Sequence, residues 1–203
     1  MSTTTGATPG ATPGLAPSQT VGPFFLDCLL REDARRNVLV GSETVGERIR
    51  IEGHVLDGDG APVPDAIVEI WQANAHGRYR HPKDNRESIA LDPDFIGFGR
   101  SGTDDTGLYW FETVKPGSVP FTGERMQAPH ISVMVFSRGL LNHLATRIYF
   151  ADEPANQMDP IFQLVPEERR MTLLARRASG DGMPTYRFEI ILQGAGETAF
   201  FNL

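Results

Sequence analysis

Apolar and polar residues alternate over several short stretches of this 203-residue chain. In the first of them, residues 48–56, Ile49, Ile51 and Val55 stand at alternate positions of one face, with polar residues between them. Neighbouring side chains of a β-strand point to opposite faces, so this pattern predicts a strand with one buried face. Similar runs, rich in β-branched and apolar residues, predict strands at 66–74, 108–114, 131–137, 145–150 and 185–192.

Turn-forming residues separate these runs. The 21 glycines and 15 prolines are spread along the sequence, which indicates many tight turns between short strands. One short helix is predicted near 166–177, because Pro166 suits a first helical turn, acidic residues follow it, and Arg176 and Arg177 stand where the last turn would be. The pattern is typical of an all-β protein, and we expect an antiparallel β-sandwich with long loops.

Composition and charge narrow the range of functions. Residues 1–16 are a low-complexity run of small and polar residues and predict a flexible tail, followed by one β-sandwich domain over 17–203. A net charge of −7 argues against a nucleic-acid binder, which needs a basic surface. The sequence shows no apolar run of about 20 residues, no secretory signal, and a single cysteine, Cys28, which excludes an internal disulfide. We expect a cytoplasmic protein.

The long loop at residues 76–100 carries several charges and candidate chemistry. Loops of more than about 12–15 residues in a compact domain commonly bind a ligand or cover a site. Tyr79 stands between Arg78 and Arg80, whose charges would favour a phenolate if they lay close in space. The alternative, preferred in the absence of a metal ion, is a loop tyrosine that packs its ring.

The five histidines show no spacing that forms a metal site. His130 and Ser132 lie two positions apart on a predicted strand, where two histidines could chelate a metal ion, but the second residue is a serine. A lone strand histidine is more often a hydrogen-bonded structural residue. His54 points away from the apolar face of its strand and is expected in solvent.

An ordered series of motifs resembles the intradiol aromatic-ring dioxygenases. These motifs cover most of the chain from residue 17 onward and read SQTVGPFF, WQANAHGRYRH, DPDFIGFGR, TVKPG, APHISV and TRIYF. The resemblance implies a β-sandwich and, in the catalytic chains of the family, a non-haem Fe(III) held by two tyrosines and two histidines. The members that act on protocatechuate (3,4-dihydroxybenzoate) pair two related chains, α and β, with the iron on β.

The resemblance assigns four ligand positions to this chain, but only two hold a suitable residue. Tyr79 and His130 match a tyrosine and a histidine of the family, whereas Val119 and Ser132 replace the other two ligands. Gln127 stands where the family has a catalytic arginine. Two ligands are too few to hold a ferric ion against water. The sequence is therefore similar to the iron-free α-type chain, with no cofactor or catalytic residue of its own, and is expected to be inactive alone.

The resemblance also implies a partner, a homologous β subunit that carries Fe(III). Thr20, Gly22 and Pro23 match α-chain positions in the wall of the substrate pocket. Arg138 matches a position that helps bind substrate, and a guanidinium can pair with the carboxylate of protocatechuate. Arg147, the competing cation, is expected to be a sandwich or interface residue. The complex would use O2 to cleave protocatechuate to 3-carboxy-cis,cis-muconate.

Two other functions remain open from the sequence. The chain could be a self-sufficient iron dioxygenase with ligands at other positions, which iron analysis of the single chain would reveal. It could also be a β-sandwich binding module without enzymatic activity. A stable monomer that recruits no homologous partner would support this second alternative.

Overall fold

The computed structural model describes residues 20–22, 24–180 and 182–202, so the predicted tail at 1–16 lies outside the described residues, as does Pro23. The strands are β1 (Arg48–Leu56), β2 (Ile67–Trp71), β3 (Phe98–Gly102), β4 (Leu108–Val114), β5 (Val119–Pro120), β6 (Met126–Gln127), β7 (His130–Phe136), β8 (Leu144–Phe150), β9 (Leu174–Arg177), β10 (Thr185–Arg187) and β11 (Ile190–Ile191). The α-helices are α1 (Phe25–Leu29) and α2 (Glu167–Arg170), and short 3₁₀ turns lie at Pro154–Met158, Phe162–Leu164 and Met171–Leu173.

The strands form a sandwich of two connected layers. One layer has the order β3-β2-β7-β8 and is antiparallel throughout. In the other, β1 pairs antiparallel with β4 and parallel with β10 and β11. Strand β9 joins the layers, because its first half pairs parallel with β8 and its second half pairs antiparallel with β10. The prediction of an all-β sandwich is confirmed, with three parallel pairings beside the antiparallel ones.

The apolar faces of the two layers meet in the main hydrophobic core. Ile49, Ile51 and Val55 of β1 are fully buried, as their alternation predicts. They belong to one cluster with Ile131 and Val133 of β7 in the opposite layer. Burial of a side chain of this size stabilises the fold by about 1.5–3 kcal/mol.

The outer face of β7 and β8 is covered at one end by the segment 154–173. Tyr149 and Phe162 meet there edge to face, with 5.0 Å between ring centroids. Asp159 is fully buried and accepts a hydrogen bond from the Tyr149 hydroxyl at 3.0 Å. Its oxygens also accept hydrogen bonds from the amides of Ala128 and Phe162, at 2.7 and 2.8 Å. These donors compensate the desolvation of the carboxylate.

The helix predicted at 166–177 is present only in its first part. Helix α2 ends at Arg170, the 3₁₀ turn continues to Leu173, and residues 174–177 form β9. Pairing with β8 and β10 holds these last residues in an extended conformation, so tertiary pairing outweighs local helix propensity. Helix α1 was not expected from the sequence. Within the described ranges, no helix is long and apolar enough to cross a membrane.

Candidate functional site

Asn74 organises the turn that carries Tyr79. Its side-chain oxygen accepts hydrogen bonds from the backbone amides of His76 and Arg78, at 3.0 and 2.9 Å. Its amide group donates to the carbonyl of Ala90 at 2.9 Å. Asn74 is buried, and a buried amide needs such partners. The turn is therefore tied both to the end of β2 and to the later part of the loop.

Two glycines let this turn pack against the loop that carries Val119. Gly77 has a φ of +79°, and a Cβ added there would lie 2.0 Å from the carbonyl oxygen of Ser118. A Cβ on Gly117 would lie 2.5 Å from the amide nitrogen of Gly77. Only glycine permits backbones to approach this closely. As a result, Tyr79 and Val119 line the same cavity.

The cavity beside Tyr79 has a volume of about 680 Å³. Its lining includes Trp71, Tyr79, Lys83, Arg86, Val119 and Gln127. The rings of Trp71 and Tyr79 are nearly parallel, with 9° between their planes and 5.9 Å between their centroids. Cavities of this size are typical of sites for small molecules. Several residues of the loop 76–100 line this cavity, which makes it the candidate for the site that the loop is expected to cover.

Arg78 and Arg80 are engaged by carbonyl groups of the loop. Arg78 donates to the carbonyl of Ile89 at 2.5 Å, and Arg80 donates to that of Pro93 at 3.2 Å. Burial raises the pKa of the Tyr79 phenol, and neither of these two arginines opposes the rise. The structure therefore lends no support to the hypothesis that these two arginines favour a phenolate. The ring of Tyr79 instead packs against a neighbouring indole, as the alternative predicted.

Two positive charges oppose this rise in the pKa of Tyr79. The charge of Arg147 has the larger effect, and that of Arg86 in the loop the smaller. The Nη1 atom of Arg147 donates a hydrogen bond to the side-chain oxygen of Gln127 at 2.8 Å. Cross-strand register sets Trp71 opposite Ser132, and Ser132 opposite Arg147, so the three lie in one row across β2, β7 and β8. Arg147 is a sandwich residue, as expected, but sequence reasoning missed its approach to the cavity.

A second cation, Arg86, is paired within the loop. Its Nη2 lies 2.5 Å from an oxygen of Asp84. This hydrogen-bonded pair lowers the pKa of Asp84 to about 2. Asp84 also accepts a hydrogen bond from the backbone amide of Tyr79 at 2.8 Å. The ion pair therefore holds the loop against the turn that carries the tyrosine.

His130 is a buried structural histidine, as expected. Its Nδ1 lies 2.8 Å from the carbonyl oxygen of Ala128, to which it donates. Burial first and the charge of Arg147 second lower the pKa of the His130 imidazole to about 4. The ring also packs against Tyr149, with 5.9 Å between centroids. His54, by contrast, is partly exposed beside Glu189, in agreement with its predicted orientation.

The side chains at the four ligand positions do not fit a ferric ion. Val119 has a hydrocarbon side chain and Ser132 a weakly coordinating hydroxyl, which leaves Tyr79 and His130 as donors. Two protein ligands cannot hold this hard ion against water. Across the described residues, no three His, Cys, Asp or Glu side chains converge in a geometry that could bind a metal ion.

Thr20, one of the residues expected in a substrate wall, lies beside the turn that contains Arg138. The hydroxyl of Thr20 accepts a hydrogen bond from the amide of Gly139 at 2.8 Å, which joins the first described residues to the turn containing Arg138. The Arg138 side chain is 63% exposed and forms an ion pair with the mostly buried carboxylate of Asp65. Gly22 is exposed, with no atom within 4 Å of the place where a Cβ would be.

The cavity and Arg138 lie at opposite ends of β7. Ser132 is near the start of the strand, whereas Arg138 follows its last residue, Phe136. Arg138 stands six positions after Ser132, and a strand rises about 3.3 Å per residue, so the two are separated by about 20 Å. Arg138 therefore serves a different surface from the one beside Tyr79.

Comparison with known proteins identifies the family. A family model described as "Dioxygenase" matches residues 21–194, and the chain belongs to this family. It is 41% identical over 197 residues to the protocatechuate 3,4-dioxygenase alpha chain of Pseudomonas putida, covering 92% of this chain and 95% of the relative. It is 39% identical over 176 residues to the beta chain from Burkholderia cepacia, covering 83% and 74%.

A solved structure supports the same assignment. The dioxygenase domain of a dioxygenase and carbohydrate-binding protein fusion from Streptomyces sp. SirexAA-E superposes with a TM-score of 0.59 at 26% identity. The match covers 88% of this chain and 98% of that domain. Most of this chain therefore has the same fold as that dioxygenase domain.

Proposed function

We propose that this chain is the iron-free, α-type subunit of a protocatechuate 3,4-dioxygenase, with Fe(III) on a homologous β subunit. The observation that carries the proposal is an intact family fold with Val119 and Ser132 at two of the four ligand positions. Overall identity separates the two chain types poorly, since it is 41% to an alpha chain and 39% to a beta chain. The residues at the ligand positions favour the alpha type.

The complete enzyme cleaves protocatechuate with O2 between the two hydroxyl-bearing carbons and yields 3-carboxy-cis,cis-muconate. Activation of the ring belongs to the ferric ion of the partner. This chain contributes the wall that orients the substrate, a positive charge and the exclusion of water.

Arg138 is the proposed contact to the substrate carboxylate. The chain has a net charge of −7, so an anionic substrate needs a local cation. The Arg138 guanidinium is exposed and can form paired hydrogen bonds with a carboxylate. The hydrogen bond between Thr20 and Gly139 holds the segment 20–22 beside this turn. Gly22 has no side chain, which allows a flat ring to approach the backbone, and the adjacent Pro23 completes the proposed wall.

The two other functions have less support. The donor set at the ligand positions argues against a self-sufficient iron enzyme. Similarity over 92% of the chain to a named dioxygenase subunit argues against a stand-alone binding module.

Co-expression with a candidate β chain tests the proposal. The candidate is a homologous chain whose sequence contains GRY, PGxYP and HxH together. We expect the two chains to co-purify and the pair to consume O2 when protocatechuate is added, whereas this chain alone consumes none. Failure to associate with such a chain, or full activity of the candidate without this chain, would contradict the proposal.

A further inference from the structure

We infer that a groove on the outer face of β9, β10 and β11 binds the phosphoryl group of a small molecule between Arg176 and Arg187. Both arginines line this groove, which has a volume of about 420 Å³. It lies on the layer that contains β1, whereas Arg138, the proposed contact to the substrate carboxylate, follows β7 in the other layer. The site therefore goes beyond the proposed function and does not rest on it.

A series of alternating charges crosses the outer face of this layer and leads to the groove. Nη1 of Arg50 lies 3.5 Å from a carboxylate oxygen of Glu112, and Nε of Arg50 lies 3.0 Å from one of Glu52. Glu52 is also 3.4 Å from Nε of Arg187. Each of these two arginines thus has a carboxylate beside it. The next residue across the sheet is Arg176, directly opposite Arg187 in the register of β9 and β10.

Arg176 interrupts the alternation, because a carboxylate would be expected in its place. Directly opposite residues of antiparallel strands project from the same face, about 5 Å apart at Cβ, and like charges there destabilise the pair. Arg176 is exposed and forms no hydrogen bond or ion pair with another residue of the described ranges. An anion held between the two guanidinium groups would remove the repulsion and continue the alternation.

The groove is positively charged, although the whole chain has a net charge of −7. Its described lining includes a third arginine, Arg177, and one carboxylate, that of Glu189. Glu189 is already engaged, because it accepts a hydrogen bond from the backbone amide of His54 at 2.7 Å and lies 3.2 Å from the imidazole Nδ1. Three positive charges and one negative charge leave a balance of +2. A phosphate dianion matches this balance better than a monocarboxylate does.

The remainder of the groove is apolar and suits the organic part of a ligand. Leu174 stands two positions before Arg176, and Ile191 two positions after Glu189, so each shares the outer face with its charged neighbour. Both line the groove, together with Met171. A volume of about 420 Å³ is in the range of sites for small molecules. A phosphate ion would occupy only the arginine end, and the organic part of a phosphorylated compound would cover the apolar side.

Isothermal titration of the full-length chain with inorganic phosphate, at constant ionic strength, tests the inference. We expect saturable binding of one phosphate per chain. Phosphate should also raise the melting temperature relative to chloride, since a ligand that binds only the folded state stabilises it. Acetate has a single charge and should bind at least about fivefold more weakly.

Three variants with opposite expected effects make the result specific. Arg176→Gln should weaken phosphate binding about fivefold, the effect of one charge-assisted contact at an exposed guanidinium. Glu189→Gln keeps the shape of the side chain and removes the negative charge, so it should strengthen binding. Arg125→Gln is the matched control, because Arg125 is also exposed but lies in the turn of the separate β5–β6 sheet. It changes the net charge as Arg176→Gln does and should leave the affinity unchanged.

Thermal unfolding verifies that each variant keeps its fold. The inference would be overturned if the unmodified chain showed no saturable phosphate binding, or if acetate bound as tightly as phosphate. Equal weakening by Arg176→Gln and Arg125→Gln would also overturn it, because the effect would then come from the net charge of the chain. None of these outcomes bears on the association with a β subunit.

Discussion

Gly77→Ala is expected to lower the free energy of unfolding by about 3 kcal/mol. An L-residue at a φ of +79° costs about 1–2 kcal/mol. The new Cβ would also lie 2.0 Å from the carbonyl oxygen of Ser118, and relief of such overpacking costs about 1–3 kcal/mol. For a chain of this size the melting temperature, followed by circular dichroism, should fall by about 6–12 °C.

Gly60→Ala provides the control. Gly60 has the same φ of +79°, but no atom lies within 4 Å of its added Cβ. Only the conformational cost of about 1–2 kcal/mol applies there. Equal losses at both positions would show that the close approach of Gly77 to Ser118 does not contribute, and that the turn and the Val119 loop are not held together in this way.

Arg138→Ala is expected to raise the KM of the assembled enzyme for protocatechuate about tenfold, while the iron content of the partner stays the same. A charge-assisted contact to a carboxylate accounts for an effect of this size, reduced because the guanidinium is 63% exposed. Steady-state oxygen uptake measures the KM. Metal analysis of the same preparations shows whether iron is retained.

Two further variants make this result specific. Asp65→Asn removes the carboxylate that competes for Arg138, and it should lower the KM. Arg187→Ala removes an arginine of similar exposure, 66%, whose partner is Glu52, and it should leave the KM unchanged. An unaltered KM in the Arg138→Ala enzyme would remove Arg138 from the substrate site.

Local sequence patterns predicted the strands well where each strand behaves as a regular unit. The bounds of β1 and β4 agree with the stretches 48–56 and 108–114. The stretch 185–192 instead divides into β10 and β11 around Phe188. There the Phe188 carbonyl approaches Gly53 so closely that a Cβ on Gly53 would lie 1.8 Å from it. The alternation of apolar and polar residues within one segment carries no information about such a close approach of two backbones.

The candidate site was predictable only in part, for a similar reason. The loop that lines the cavity and the altered ligand positions are visible in the sequence. The approach of Arg147 to Tyr79 depends on the register of β7 and β8, which no local motif specifies. Likewise, the pairing of Arg138 with Asp65 joins residues 73 positions apart. Long-range contacts of this kind come from the tertiary fold alone.

The iron content of the purified, isolated chain tests the central claim most directly. With Val119 and Ser132 at two ligand positions, we expect a colourless protein with far less than one iron per chain. The same chain purified with its β partner should show iron equivalent to the partner alone. Stoichiometric iron in the isolated chain, together with cleavage of protocatechuate, would contradict the account.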